Sequence, residues 1–331
     1  MYKIEKSKLF DTIYIEQENI HATLLSYGAT IKQIQTPNID GEYEDILMAY
    51  NFDEDYIDND IYLNGTIGPI AGRIKNGEIN INQRHFQFNK NQAGKHTLHS
   101  GDLALTYQNF KYKIEDNDQL TIVKMMCQTQ SKDLNYAINV TYTIQHGQCQ
   151  IEYDAYANHD FAFSLTNHAY FNLSGNLKTN IKNHIIQIET PSRHQLDEDQ
   201  VPTHKILIEP LYDFTKPTSL IKRMKALKSH PFEGYDDIYI FENKNDIRYR
   251  SSAYDPTSHR ELKVYSDYDH MVFYTHNNTS DTPLKHLNAH PQHYGLCFEC
   301  QKAPYGFNDD AYVKKNTHDK YTIIYQFSVR K

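Results

Sequence analysis

The chain has no tryptophan, and its 331 residues include only four cysteines, 13 glycines and 11 prolines. Four cysteines in this length do not make a disulfide framework. Cys297-Phe298-Glu299-Cys300 has the spacing of half a metal site, but Cys127 and Cys149 form no second close pair, as a structural zinc site needs. In a strand, positions three apart also point to opposite faces, so these two cysteines read as small packed residues. No run of about 18 apolar residues occurs, which excludes an ordinary helical membrane span. No basic block occurs either. The net charge is -8, and the most basic segment, Lys216 to Lys228, is broken by Leu220, Ile221, Met224 and Leu227. A nucleic-acid partner is therefore not expected. The start, Met1-Tyr2-Lys3-Ile4-Glu5-Lys6, has no apolar core behind its charges, so a secretory signal is not expected and a cytoplasmic location is. With so few glycines and prolines, loops must be built largely from Asn, Asp, Ser and His.

What is abundant is tyrosine (27) and phenylalanine (15), much of it in alternating runs. Residues 119–125, 139–144, 184–189 and 321–329 alternate as half-buried strands do, with polar turn signals at 115–118, 146–148 and 277–280. Long helical periodicity is rare, and Ser219 to Lys228 is the best short candidate. No repeat, low-complexity tract or linker divides the chain. The expectation is a single all-β domain over residues 1–331, a large antiparallel sandwich with few short helices.

The densest chemistry lies in Thr166-Asn167-His168-Ala169-Tyr170-Phe171-Asn172-Leu173-Ser174-Gly175. There one imidazole stands beside side-chain amides and aromatic rings. Far along the chain, a lone Glu299 sits in the apolar run Leu296-Cys297-Phe298. A charged carboxylate in such a strand is expensive to bury without a function or partner. Amides, aromatics and an imidazole suit an uncharged, hydroxyl-rich ring, and an isolated Glu suits proton abstraction. Acid/base sugar chemistry is the first reading. Other segments join the list: the glycine-rich stretch from Gly65 through Gly72-Arg73 to Gly77, His96 and His99 in residues 96–101, and Phe232-Glu233-Gly234-Tyr235-Asp236-Asp237. The first lacks the spacing of a phosphate loop. The second has no carboxylate pattern nearby to complete a metal site. Asp236 could accept hydrogen bonds from hydroxyls, and a solvated turn Asp would look the same.

In this order the segments resemble the aldose 1-epimerases (galactose mutarotases). The likeness runs from Gly28-Ala29-Thr30 through Gly72-Arg73-Ile74, Leu98-His99-Ser100-Gly101, the 166–173 signature and Gly234-Tyr235-Asp236. It ends at Glu299-Cys300-Gln301 with Pro304 and Asn308. Departures are Ala169 for the usual Thr, with Pro69, Gly72, Ser100, Asp237, Cys300 and Tyr305-Gly306-Phe307; several are expected to alter the pocket rim. The resemblance implies a galactose mutarotase-like supersandwich acting on a free aldohexose of the glucose and galactose class. It implies Glu299, ionised at neutral pH, as the base at O1, and His168, able to hold a proton, as the acid at the ring oxygen. Arg73, His99 and Asp236 would bind hydroxyls, with Asn167 and Tyr170 in support. No metal or organic cofactor, no membrane, and a monomer or homodimer are implied. The competing readings are a hexose-phosphate epimerase, a non-catalytic sugar-binding protein and a His-ligated metal enzyme.

Overall fold

The computed structural model describes residues 1–130, 135–228, 233–242, 246–306 and 312–331. Phe232, Phe307 and Asn308, part of the segments above, lie outside these residues. Three antiparallel sheets account for most of the strands. The first runs in chain order through Tyr2–Glu5, Thr12–Gln17, Ile20–Leu25, Thr30–Pro37 and Tyr43–Asp45. The second has nine strands; the longest are Leu120–Gln130, Asn135–Gln145, Gln148–Ala157 and His318–Val329, which lie side by side. Alternation there is strict: Asn135–Gln145 reads buried at every second residue, as the pleat requires. One short helix, Leu220–Ala226, falls inside the predicted 219–228 segment. No helix of the described residues is long and apolar enough to cross a membrane.

The third sheet positions the site. Its strands, in spatial order, are Pro202–Leu207, Arg193–Leu196, Asp236–Ile240, His270–Tyr274 and Cys297–Gln301. Asp236 pairs with Tyr274 and Tyr274 with Cys297, while Ile238 pairs with Val272 and Val272 with Glu299. Residues two apart share a face, so these six side chains stand on one side. The opposite side carries Met271, Phe273, Phe298 and Cys300 into a buried cluster. There the Phe273 and Phe298 rings stack 5.4 Å apart. That cluster also takes Ile13 and Ile31 from the first sheet and Val140 and Ile323 from the second, so the sheets share a core. All-β sandwich architecture is what the alternation predicted.

Candidate active site

The all-buried strand Cys297–Gln301 is covered on both faces, and its Glu299 is only 2% exposed. His168 follows the two-residue strand Thr166–Asn167, which pairs with Thr66–Ile67. Its own N–H donates to the Gly65 carbonyl (3.0 Å), and its carbonyl accepts from the Asn64 N–H (3.1 Å). Tyr170 stacks on its ring, centroids 4.8 Å apart, and donates its hydroxyl to the Ile61 carbonyl. This main-chain clamp brings His168 Nε2 to 3.5 Å from Glu299 Oε1, although 131 residues separate them in sequence. The second half of the signature fastens the loop behind. Asn172 Nδ2 donates to the carbonyls of Thr179 and Tyr294, and its Oδ1 accepts from Ser174.

His99 arrives by a different route. Thr97–Leu98 pairs with Arg73–Ile74, and His99 adopts left-handed backbone (φ 51°). The Gly72 N–H donates to His99 Nδ1 at 3.1 Å. That bond fixes the tautomer: with the Nδ1 lone pair engaged, neutral His99 carries its hydrogen on Nε2. Gly72 itself needs φ +80°, where glycine is favoured over any side chain. Arg73 donates from Nη2 to Asp236 Oδ2 (3.3 Å) and to Gln200 Oε1, while its buried Nε has no hydrogen-bond partner among the described residues.

These groups line one cavity of about 150 Å³, with Glu299, His168, His99, Arg73 and Asp236 on its wall. Tyr62, Tyr170 and Tyr274 supply aromatic surface, and Leu196, Pro202, Ile238 and Val272 supply apolar surface. Of the site residues expected from sequence, Asn167 alone is absent from the wall. Its side chain turns inward, and Nδ2 donates to the Asn64 carbonyl at 3.3 Å. The altered rim also needs correction. Of Pro69, Gly72, Ser100, Asp237 and Cys300, only Gly72 lines the cavity. Asp237 and Cys300 fall on the opposite pleat, where Asp237 meets Arg193 at 3.0 Å and Cys300 joins the core. Ser100 Oγ is spent on the Ile70 main chain.

Electrostatics revise a second expectation. Burial, reinforced by the Asp236 charge and only partly offset by Arg73, pushes Glu299 well above the usual carboxylate range. Burial holds His168 down at about 4. A carboxylate that resists ionising and an imidazole that resists protonation therefore stand 3.5 Å apart. His99 is held well below the ordinary histidine range by burial, then by His168 and Arg73, so it stays a neutral Nε2–H donor.

Nitrogens of His99 and His168 and an oxygen of Glu299 lie within 4.8 Å of one another, a possible ligand set for a cation. The chemistry of His99 does not fit. Its Nδ1 accepts from Gly72, so Nε2 bears hydrogen and has no lone pair to offer a metal.

Sequence reasoning missed the hairpin formed by Arg193–Leu196 and Pro202–Leu207, which brings Leu196, Gln200 and Pro202 to the site or its guanidinium. Its tip is tied down by Asp199, which pairs with Lys95 and lies 3.5 Å from His96 Nε2. No motif marks it. A carboxylate at its turn three or four residues beyond a histidine-bearing strand was the one faint signal.

Comparison with known proteins gives a consistent result. The family description Aldose 1-epimerase matches residues 11–319. Galactose mutarotase from Homo sapiens is 25% identical over 327 residues, covering 95% of this chain and 93% of that protein. Aldose 1-epimerase from Streptococcus thermophilus is 28% identical over 284 residues, covering 82% of this chain and 79% of its own. The solved structure of a GalM/aldose epimerase homologue from C. elegans superimposes with a TM-score of 0.86 at 22% identity, covering 97% of this chain and all of that one.

Proposed function

Because the chain belongs to the aldose 1-epimerase family, we propose that it interconverts the α and β anomers of a free aldohexose of the glucose and galactose class. It is an isomerase of carbohydrate metabolism, as the curated relatives named mutarotase and aldose 1-epimerase are. The single observation that carries the site assignment is the 3.5 Å approach of His168 Nε2 to Glu299 Oε1 inside a sugar-sized, aromatic-lined cavity.

In the proposed reaction, Glu299 takes the proton of the anomeric O1 hydroxyl while His168 gives one to the ring oxygen. The C1–O5 bond breaks, O1 becomes the aldehyde oxygen, and the ring oxygen becomes a hydroxyl. Rotation about C1–C2 presents the other face, and reclosure returns both protons by the same two groups. One proton on the pair is enough, because each half-reaction moves it from one member to the other. Sugar hydroxyls and the donors of Arg73 and His99 favour the state with Glu299 ionised and His168 protonated, which burial disfavours in the empty pocket. Asp236, bonded to Arg73, would accept from hydroxyls away from C1 and fix orientation. Tyr170 would support the imidazole by stacking, and Asn167 would act from behind through the Asn64–Gly65 segment.

A phosphorylated hexose suits the site less well. Among the described residues, Arg73 is the one Lys or Arg on the cavity wall, against Asp60, Asp236 and Glu299. A phosphate pocket wants convergent basic groups. The reading treats residues 1–331 as one functional unit in the cytoplasm, consistent with a shared core and four free, buried cysteines. Polarimetry of freshly dissolved α-glucose, α-galactose and glucose 6-phosphate tests it. Acceleration of the free sugars above the phosphate, abolished or nearly so in Glu299→Gln, is expected. Equal acceleration by both proteins would remove Glu299 from the base role, and none for any free sugar would favour a binding protein.

A further inference from the structure

Residues 297 and 299 are two apart on one strand and so share the face that lies against His168. The consequence is that one strand meets both nitrogens of one ring. Nε2 is 3.5 Å from Glu299 Oε1, and Nδ1 is 3.5 Å from Cys297 Sγ. The two partners are chemically unlike. A carboxylate readily exchanges protons, whereas this fully buried thiol is held well above its ordinary pKa and keeps its own.

The proposed reaction needs a ring that takes up and releases a proton at Nε2. That works only if the other nitrogen holds its hydrogen throughout. With hydrogen on Nδ1, the neutral ring has a bare Nε2 and the cation has both. With the thiol donating to Nδ1 instead, the neutral ring carries hydrogen on Nε2, and giving that up would leave an imidazolate. Among the described residues, no other side chain around the ring is hydrogen-bonded to Nδ1. His99 offers an N–H, Tyr62, Tyr170 and Tyr274 contact the ring as aromatic faces or edges, and His276 lies beyond Tyr170.

We infer that Cys297 is a positioning residue: its Sγ accepts the Nδ1–H of His168, fixes that tautomer and leaves Nε2 as the nitrogen that trades protons with the sugar. Sulfur is a weak acceptor. It orients the ring without the strong pull of a carboxylate partner, which would raise the basicity of Nε2. The proton therefore leaves His168 easily, and neither direction of the reaction is trapped.

This inference rests on reading His168 as the proton donor, and the experiment separates the two. Long-range ¹H–¹⁵N spectra of the histidine side chains, with His168 assigned by its loss in His168→Asn, report the tautomer in the intact protein. Wild type should show Nδ1–H with a bare Nε2. Cys297→Ala should show a mixture, with kcat about tenfold lower, KM little changed and a displaced pH profile. Cys297→Ser, which keeps an acceptor, should recover the tautomer and much of kcat. An Nε2–H tautomer in wild type overturns the inference, even if no Cys297 variant folds. So does a Cys297→Ala protein with the wild-type tautomer and pH profile. Full activity in His168→Asn would instead sink the assignment of the acid, whatever the tautomer.

Discussion

Glu299 and His168 each lose most of their hydration in the fold, and neither would be retained there for stability. A buried ionic pair gives little net stabilisation, because several kcal/mol of desolvation per ion offset the attraction. Replacing Glu299 by Gln, or His168 by Asn, is accordingly expected to leave the protein folded while kcat falls by ~10²–10⁴, the range for loss of one general acid or base. Melting curves alongside initial rates check both halves of that statement. The pair also sets the pH response. With His168 held at about 4, the second proton that would silence Glu299 goes on only near that pH. Glu299 is raised by burial, so it holds its proton to higher pH than an ordinary carboxylate would. The profile of kcat/KM should be a broad plateau with its acid limb near pH 4. A limb between pH 6 and 7 would mean that His168 titrates like a solvated imidazole.

At the scale of elements, the Arg193–Leu207 hairpin, through Gln200, and Asp236 both accept from Nη2 of Arg73, the guanidinium proposed to bind the sugar. Truncating Gln200 to Ala removes one hydrogen bond to a cation, an interaction worth roughly 1.5–3 kcal/mol. Saturation curves should show KM raised tenfold or more with kcat nearly unchanged, since Gln200 lies off the reacting atoms. A fall in kcat with constant KM would contradict that placement. This hairpin also marks where sequence reading stops. The long strands were legible because their alternation is strict, and His168 and Glu299 because an imidazole among amides and a lone acid in an apolar run are costly patterns. Leu196, Pro202 and Gln200 carry no such pattern, and only the chain's path brings the first two to the cavity and Gln200 to Arg73. Parity explains the other misses. Asp237 and Cys300 neighbour site residues in sequence, yet one step along a strand turns a side chain to the other face. Likewise, Asn167 reaches inward where His168 reaches the pocket.

For the whole molecule, burial of imidazoles has a cost in acid. His99, His159, His168, His184, His194, His276, His290 and His293 are all pushed below the ordinary histidine value, mainly by burial. Their unfolded counterparts charge as pH drops below about 6.5, so the unfolded chain binds more protons and stability falls as pH falls from there towards 4. Asp237, Asp267, Glu299 and Asp319 are raised and act in the opposite sense, but they are fewer. Thermal melts should therefore show Tm declining between pH 6.5 and 5, before ordinary carboxylates protonate. A flat Tm across that interval would show that the histidines are not held neutral in the fold. The fold brings one imidazole and one carboxylate, far apart in sequence, to the wall of the same cavity. The most direct measurement is the mutarotation rate of α-galactose with wild type, Glu299→Gln, His168→Asn and the double variant. A single shared proton predicts that the double variant is no slower than the worse single one. Losses that multiply, or a double variant as fast as wild type, would contradict it.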